Sequence, residues 1–221
     1  MIVTTLLVIA AYLLGSLSSA VWIGKKFYGI DIREHGSHNA GATNILRVLG
    51  KRAAIPVFAI DSAKGFAAVM LFHLAPSSLG ESLAIPHEAF VFYLKLILTG
   101  AVTLGHIFPI FAGFRGGKGV ATMAGAVLAV NPPAVLLCMA TFLIVLGATH
   151  YVSLSSVTAA VMFPVYNYFV FGNHYVPMIV FSVVLSIILI ITHRKNLRRI
   201  VAGTESRIYY FPARAHRRMG K

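Results

Sequence analysis

Long stretches of almost unbroken apolar residues set the first limit on this chain. The run "VPMIVFSVVLSIILIIT" (176–192) carries no charged side chain. About 20 such residues in a row cross a bilayer as an α-helix. Comparable runs read as spans at about 3–23, 53–75, 90–112, 119–131, 134–151, 153–171 and 175–192. The fourth is short, and Asn131-Pro132-Pro133 marks a break after it, since proline lacks the N–H that a helix interior needs. The runs are continuous rather than alternating, which excludes a membrane β-barrel pattern. The chain is 58% hydrophobic and 11% charged, against roughly 25% charged in a soluble domain. The expected fold is therefore all-α: a polytopic transmembrane helical bundle of about seven spans. It reads as one integral membrane domain over 1–221, with a basic cytosolic tail from about 193. The first twenty residues read as a span and not as a cleaved signal peptide. No Lys or Arg precedes the apolar stretch, and that stretch exceeds the usual length of a signal's apolar region.

Charge fixes the sidedness. With the N-terminus outside, the inner segments are 24–52, 113–118, a tight turn near 152, and 193–221. Every Lys and Arg except Lys64 and Lys95 falls in them, and those two lie within spans. The outer loop 76–89 has Glu81 and Glu88 and no basic residue. This is the positive-inside pattern, and it places the C-terminus in the cytosol. The formal net charge of +13 fits attraction to anionic lipid headgroups, about 1 kcal/mol per basic residue near the surface. The tail "RAHRRMGK" (214–221) has no interleaved aromatics for stacking on bases, so nucleic acid is not an expected partner. The single cysteine, Cys138, permits neither an internal disulfide nor a cysteine zinc cluster, and it lies in an apolar run.

The polar motifs gather on the inner side. "GSHNAGATNILRVLG" (36–50) offers Ser37, Asn39, Thr43 and Asn44 among Gly36 and Gly41, followed by Arg47. Thr43 or Asn44 is placed to cap a short helix, with Gly50 ending it. "GFRGGKG" (113–119) sets Gly116, Gly117, Lys118 and Gly119 before an apolar run. It is not a Walker A loop, because Ala112 holds the first glycine position and Gly119 follows the lysine. Glycine-rich backbone, cations and a helix start nevertheless suit a phosphate. In "HRKNLRRIVAGTE" (193–205), His193 and Asn196 are three apart and share a helix face. "DSAKG" (61–65) puts Asp61 and Lys64 inside a span at a spacing that lets them pair. Lys95 is placed to snorkel toward the outer surface. His106 in "LGHIFP" (104–109) either lines the inner site or packs as a hydrogen-bonded histidine.

Familiar catalytic sets are missing. The chain has no Gly-x-Ser-x-Gly elbow and no His-Glu-x-x-His zinc motif. No His is followed by Asp in the His-x4-Asp spacing of acyl-CoA-dependent acyltransferases. Anion binders are present without an activated nucleophile, and neither a metal nor a cofactor is expected.

Taken together, these motifs resemble those of the bacterial acyl-phosphate:glycerol-3-phosphate acyltransferase family (PlsY). Order and spacing agree from about residue 12 to 205. The resemblance implies an enzyme of the bacterial inner membrane that moves a fatty acyl group from acyl phosphate to the C1 hydroxyl of glycerol 3-phosphate. It gives 1-acyl-glycerol 3-phosphate and phosphate, in phospholipid biosynthesis. It implies that Ser37, Arg47, Lys118, His193 and Asn196 hold glycerol 3-phosphate, with Ser37, His193 and Asn196 the catalytic candidates. Asn39, Gly41, Thr43, Asn44, Gly116, Gly117 and Gly119 are the further substrate-binding candidates, the glycines receiving the phosphate of the acyl donor. The implied partners are the two substrates and membrane lipids, and a monomer is expected. The missing nucleophile favours direct transfer, with either His193 or a substrate phosphate taking the proton. One position departs from the family pattern: His38 stands where a second glycine is usual. A positive φ there would suit His less well than Gly. The competing reading is a transporter of a phosphorylated or other anionic solute. Motifs at the inner face and no visible internal repeat argue against it.

Overall fold

The computed structural model describes residues 2–76, 80 and 84–208. Glu81 and the segment "RAHRRMGK" of the tail lie outside the described residues. Among the described residues every regular element is helical. They are α1 (Ile2–Gly15), α2 (Ser19–Tyr28), α3 (Ala42–Leu49), α4 (Lys51–Met70) and α5 (His87–Ile107). There follow α6 (Val120–Leu128), α7 (Pro132–Thr149), α8 (Val152–Val165) and α9 (Val176–Val201).

Of the runs read from hydropathy, four form helices that meet the length and apolarity of a span by themselves. Lys51–Leu74, His87–Ala112, Pro132–Thr149 and Val176–Val201 are long and apolar enough to cross a membrane. The bent pair α1 and α2 makes a fifth if taken as one span. α6 has nine residues, which rise only about 14 Å at 1.5 Å each. α8 has fourteen and runs into a five-residue π-helical stretch, Tyr166–Val170.

The first run, expected as one helix over 3–23, breaks at Ser16–Ser18 with a bend of 41°. The Ser16 hydroxyl donates back to the Tyr12 carbonyl at 2.9 Å, a local bond that competes with the helical ladder. The Leu17 carbonyl leaves the ladder and accepts from Lys64 Nζ at 2.6 Å. Hydropathy is blind to such a break, because serine and leucine both fit an apolar average.

Chain contacts divide the protein into two units, residues 1–136 and 137–221, with the boundary inside α7. In the first unit helices meet backbone to backbone. A Cβ added at Gly15 would strike the Val102 carbonyl, at Gly65 the Thr122 carbonyl, and at Gly125 the Ser62 carbonyl. Small residues permit such approaches where lipid supplies no hydrophobic drive between helices. Leu94, Leu98 and Val102 of α5 form the heart of this unit with Ala11 and Val69. A second cluster, Val21, Ile32, Ile45, Ala53 and Val57, docks α3 and the preceding loop onto α2 and α4. Lys95, expected to reach outward, sits with Nζ 4.3 Å from the centre of the Phe72 ring, a cation–π contact. In the second unit, the Ser186 hydroxyl of α9 donates to the Ala160 carbonyl of α8 at 2.5 Å.

Candidate active site

The first polar loop, residues 29–41, is built around one amide. Asn44 is 1% exposed. Its Nδ2 lies 3.0, 2.9 and 3.0 Å from the carbonyls of Ile32, His35 and Asn39, all of which can accept from it. Its Oδ1 accepts from the Ser37 N–H at 2.8 Å. Gly36, with φ 61°, presses against this amide, where a Cβ would collide. Asn44 therefore neither caps α3 nor reaches outward: its polar atoms shape the loop that presents Ser37 and Asn39. The capping expectation fails for Thr43 too, since Gly41 is the N-cap residue and no side chain bonds there. Gly50 does end α3 as expected, with φ 83°. His38 has φ 58°, so this sequence places a histidine in the left-handed conformation that glycine tolerates more easily. Its Nδ1 lies 3.1 Å from the Arg33 carbonyl, which only accepts, so the ring donates and holds the turn.

The loop is also clamped from below. Arg33 donates to Asp31 through Nε at 2.9 Å and Nη2 at 2.7 Å, and through Nη1 to the Ala112 carbonyl at 2.6 Å. The guanidinium beside Asp31 holds that carboxyl far below the usual carboxylate range. This clamp joins the first loop to the residues that begin the second.

The second loop, 113–119, differs from its sequence reading in one respect. The N–H of Gly116 donates to the Ile107 carbonyl at 3.2 Å, and that of Gly117 to the His106 carbonyl at 3.1 Å. These two amides are committed to the last turn of α5 and do not form an anion cradle. What glycine provides here is room. A Cβ on Gly117 would collide with His106 Nε2 and come within 2.7 Å of the Ala40 carbonyl. The two loops thus touch at Gly117, which brings Ser37, Asn39 and Gly41 into the same region as Lys118 and Gly119. Gly119, at φ 86°, is the N-cap residue of α6. The first N–H groups of a helix have no partner within it. The first turn of α6 beside Lys118 is the better-placed set of anion donors. Arg47 and Arg115 are exposed.

In the second unit, His193 and Asn196 lie on one helix, 2% and 6% exposed. His193 Nδ1 lies 2.8 Å from the Leu189 carbonyl and donates to it. Asn196 Nδ2 donates to Glu205 Oε1 at 2.6 Å, and Ser153 Oγ to the same oxygen at 3.0 Å. Arg199 Nε donates to Glu205 Oε2 at 2.7 Å. Burial pushes the Glu205 carboxyl up, but the bonds from Asn196, Arg199 and Ser153 outweigh it and hold the group lower than an ordinary glutamate. Sequence reasoning stopped at His193 and Asn196. The available signal was a lone acidic residue closing a basic segment. The chain after α9 continues back over the start of α8: Arg207 Nε donates to the Tyr151 hydroxyl at 3.0 Å, and the Ile208 N–H to the His150 carbonyl at 2.9 Å.

Apolar helices long enough to cross a bilayer, joined by cationic glycine-rich loops at their ends, define a helical integral membrane protein. Comparison with known proteins narrows this class. The glycerol-3-phosphate acyltransferase family model matches residues 5–203. The chain is 42% identical over 215 residues to a glycerol-3-phosphate acyltransferase of Salinibacter ruber, covering 94% of this chain and 93% of that one. It is 42% identical over 208 residues to one of Thermosynechococcus vestitus, covering 94% and 96%. A crystal structure of PlsY, an integral membrane glycerol 3-phosphate acyltransferase in its glycerol 3-phosphate form, superposes with a TM-score of 0.80 at 34% identity. That match covers 93% of this chain and 96% of the other. The lysophosphatidic acid form gives 0.77 at 33% identity, covering 93% and 95%. The chain belongs to the glycerol-3-phosphate acyltransferase family.

Proposed function

We propose that the protein transfers a fatty acyl group from acyl phosphate to the C1 hydroxyl of glycerol 3-phosphate, feeding phospholipid synthesis at the bacterial inner membrane. Family membership supports the acceptor. The observation that carries the donor is Lys118 beside the first turn of α6, in a loop whose Gly117 packs on Ala40 of the other polar loop. This is a phosphate-type site at the ends of apolar helices. An acyl phosphate has its chain in lipid and its phosphate at the surface, so it suits such a place.

Within the first unit, Lys118, Arg47, Gly119 and the first turn of α6 bind phosphate, and Ser37, Asn39, Gly41 and Thr43 line the approach. Asn44, Gly116 and Gly117 hold the loops in shape. In the second unit, His193 and Asn196 share one helix and are the candidates for contact with glycerol 3-phosphate. The reaction is a direct transfer. The C1 oxygen forms a bond to the acyl carbon, the bond from that carbon to the bridging phosphate oxygen breaks, and the hydroxyl proton leaves with the phosphate. The protein contributes positioning and fixed positive charge. Purified protein in lipid, given acyl phosphate and glycerol 3-phosphate, releases inorganic phosphate in step with lysophosphatidic acid. No release from folded protein refutes this reading.

Acyl-CoA is not a substitute donor. The His-x4-Asp spacing is absent, while the glycine-rich loop sets Lys118 beside the start of α6. Initial rates measured side by side with the two donors fall near background for acyl-CoA, and comparable rates sink the donor assignment.

We also propose seven crossings, with the N-terminus outside and the C-terminus cytosolic. The asymmetry of Lys and Arg supports this, with α6 and α8 crossing as short or tilted segments. A cysteine introduced beyond α9, in a background with Cys138 replaced, resists impermeant thiol reagents in intact cells. Labelling from outside overturns the orientation.

A further inference from the structure

We propose that His106 is a positioning residue for the glycine-rich loop, a role that rests on the phosphate reading of that loop. His106 is 7% exposed at the last turn of α5. It holds the loop at two points. Its carbonyl accepts from the Gly117 N–H at 3.1 Å, and its ring lies against the face of Gly117, where a Cβ would collide with Nε2. Its other ring nitrogen, Nδ1, is 3.0 Å from the Thr122 hydroxyl in the first turn of α6. One side chain therefore braces the loop where it leaves α5 and where it enters α6. Lys118 and Gly119 are the residues between.

The ring has its own anchor. Nδ1 is 3.7 Å from Asp61 Oδ1, the oxygen that also meets Lys64 Nζ at 2.9 Å and the Ser19 hydroxyl at 2.9 Å. Lys64 in turn reaches the Leu17 carbonyl. The buried pair thus sits at the break in the first run: Lys64 meets a carbonyl released after α1, and Asp61 meets Ser19 at the start of α2. Helix carbonyl ends favour cations and helix N-termini favour anions. The pair satisfies both, and it fixes the floor on which His106 rests. A fixed floor matters because a binding loop out of register holds its phosphate less tightly.

The test compares His106→Ala, His106→Asn and Thr122→Val with wild type. The readouts are kcat, the KM for each phosphate substrate, and the melting temperature in detergent. His106→Ala raises at least one KM by about tenfold while kcat changes by less than about threefold, the scale expected of a mispositioned binding loop. A rise confined to acyl phosphate assigns that phosphate to the loop, and a rise confined to glycerol 3-phosphate assigns the other. His106→Asn, whose amide reaches Thr122, recovers part of the loss. Thr122→Val shifts the same KM in the same direction, and it carries the test if His106→Ala does not fold. Both KM values unchanged in a folded variant, or a lowered melting temperature with unchanged KM, overturn the proposal. If wild type does not turn over acyl phosphate, the donor reading fails by itself. Equilibrium binding of radiolabelled glycerol 3-phosphate then decides, and equal affinity in wild type and His106→Ala overturns the role of His106.

Discussion

Lys118→Ala lowers kcat/KM by one to two orders of magnitude, while Cys138→Ala leaves it near wild type. The lysine stands one residue before the N-cap of α6, where its charge adds to that of the helix start. Charge-assisted hydrogen bonds contribute about 1.5–3 kcal/mol each. At about 1.4 kcal/mol per factor of ten, removing one costs roughly 10–100-fold. Lys118→Arg keeps the charge but changes its reach, so it falls between. Cys138 lies on the apolar helix α7, half-buried, and direct transfer needs no thioester. Both variants are assayed at matched amounts of folded protein. A dead Cys138→Ala beside an active Lys118→Ala would falsify the anion site and direct transfer together.

Glu205→Ala costs the second unit both stability and turnover. Its carboxylate gathers Asn196, Arg199 and Ser153, and it is only 9% exposed. Breaking a buried charge pair by removing one partner costs about 3–5 kcal/mol. Arg199 is 38% exposed, so water recovers part of this, and the expected loss is near the lower end, about 3 kcal/mol. Asn196 then loses the acceptor that orients its amide, so activity falls even in the protein that remains folded. The pH dependence has a defined sign. The folded carboxyl is held below its ordinary value of 4.5, so the unfolded chain binds the proton more readily. The stabilisation is complete above about 4.5 and is lost as the pH falls through the folded value. Melting curves of wild type and Glu205→Gln therefore differ at pH 7 and converge on acidification. Equal melting temperatures at pH 7 would show that Glu205 does not organise this cluster.

The legible parts of the sequence share a physical basis. Apolar run length is a property of consecutive residues, and it carried the all-helical membrane class. The Asp61–Lys64 pair was readable because residues three apart share a helix face, and 2.9 Å separates them. His193 and Asn196 fell on one helix for the same reason. The family resemblance was carried by four local motifs.

Other features required the tertiary structure. The break at Ser16–Ser18 is coupled to Lys64, 47 residues away from Leu17, and no local average contains that partner. Gly116 and Gly117 looked like phosphate donors because glycine suits both an anion cradle and close packing. Only the carbonyls of His106 and Ile107 show which use applies. Asn44 looked like a cap or a ligand because a lone amide advertises four hydrogen bonds and no direction. Folding turned it inward: Nδ2 sits among the carbonyls of Ile32, His35 and Asn39, and Oδ1 accepts from the Ser37 N–H. The sequence by itself determined the all-helical membrane class and the family motifs, since each follows from composition or short-range spacing. Which polar atoms turn inward onto the protein was decided only by tertiary packing, because that choice depends on partners distant in the chain.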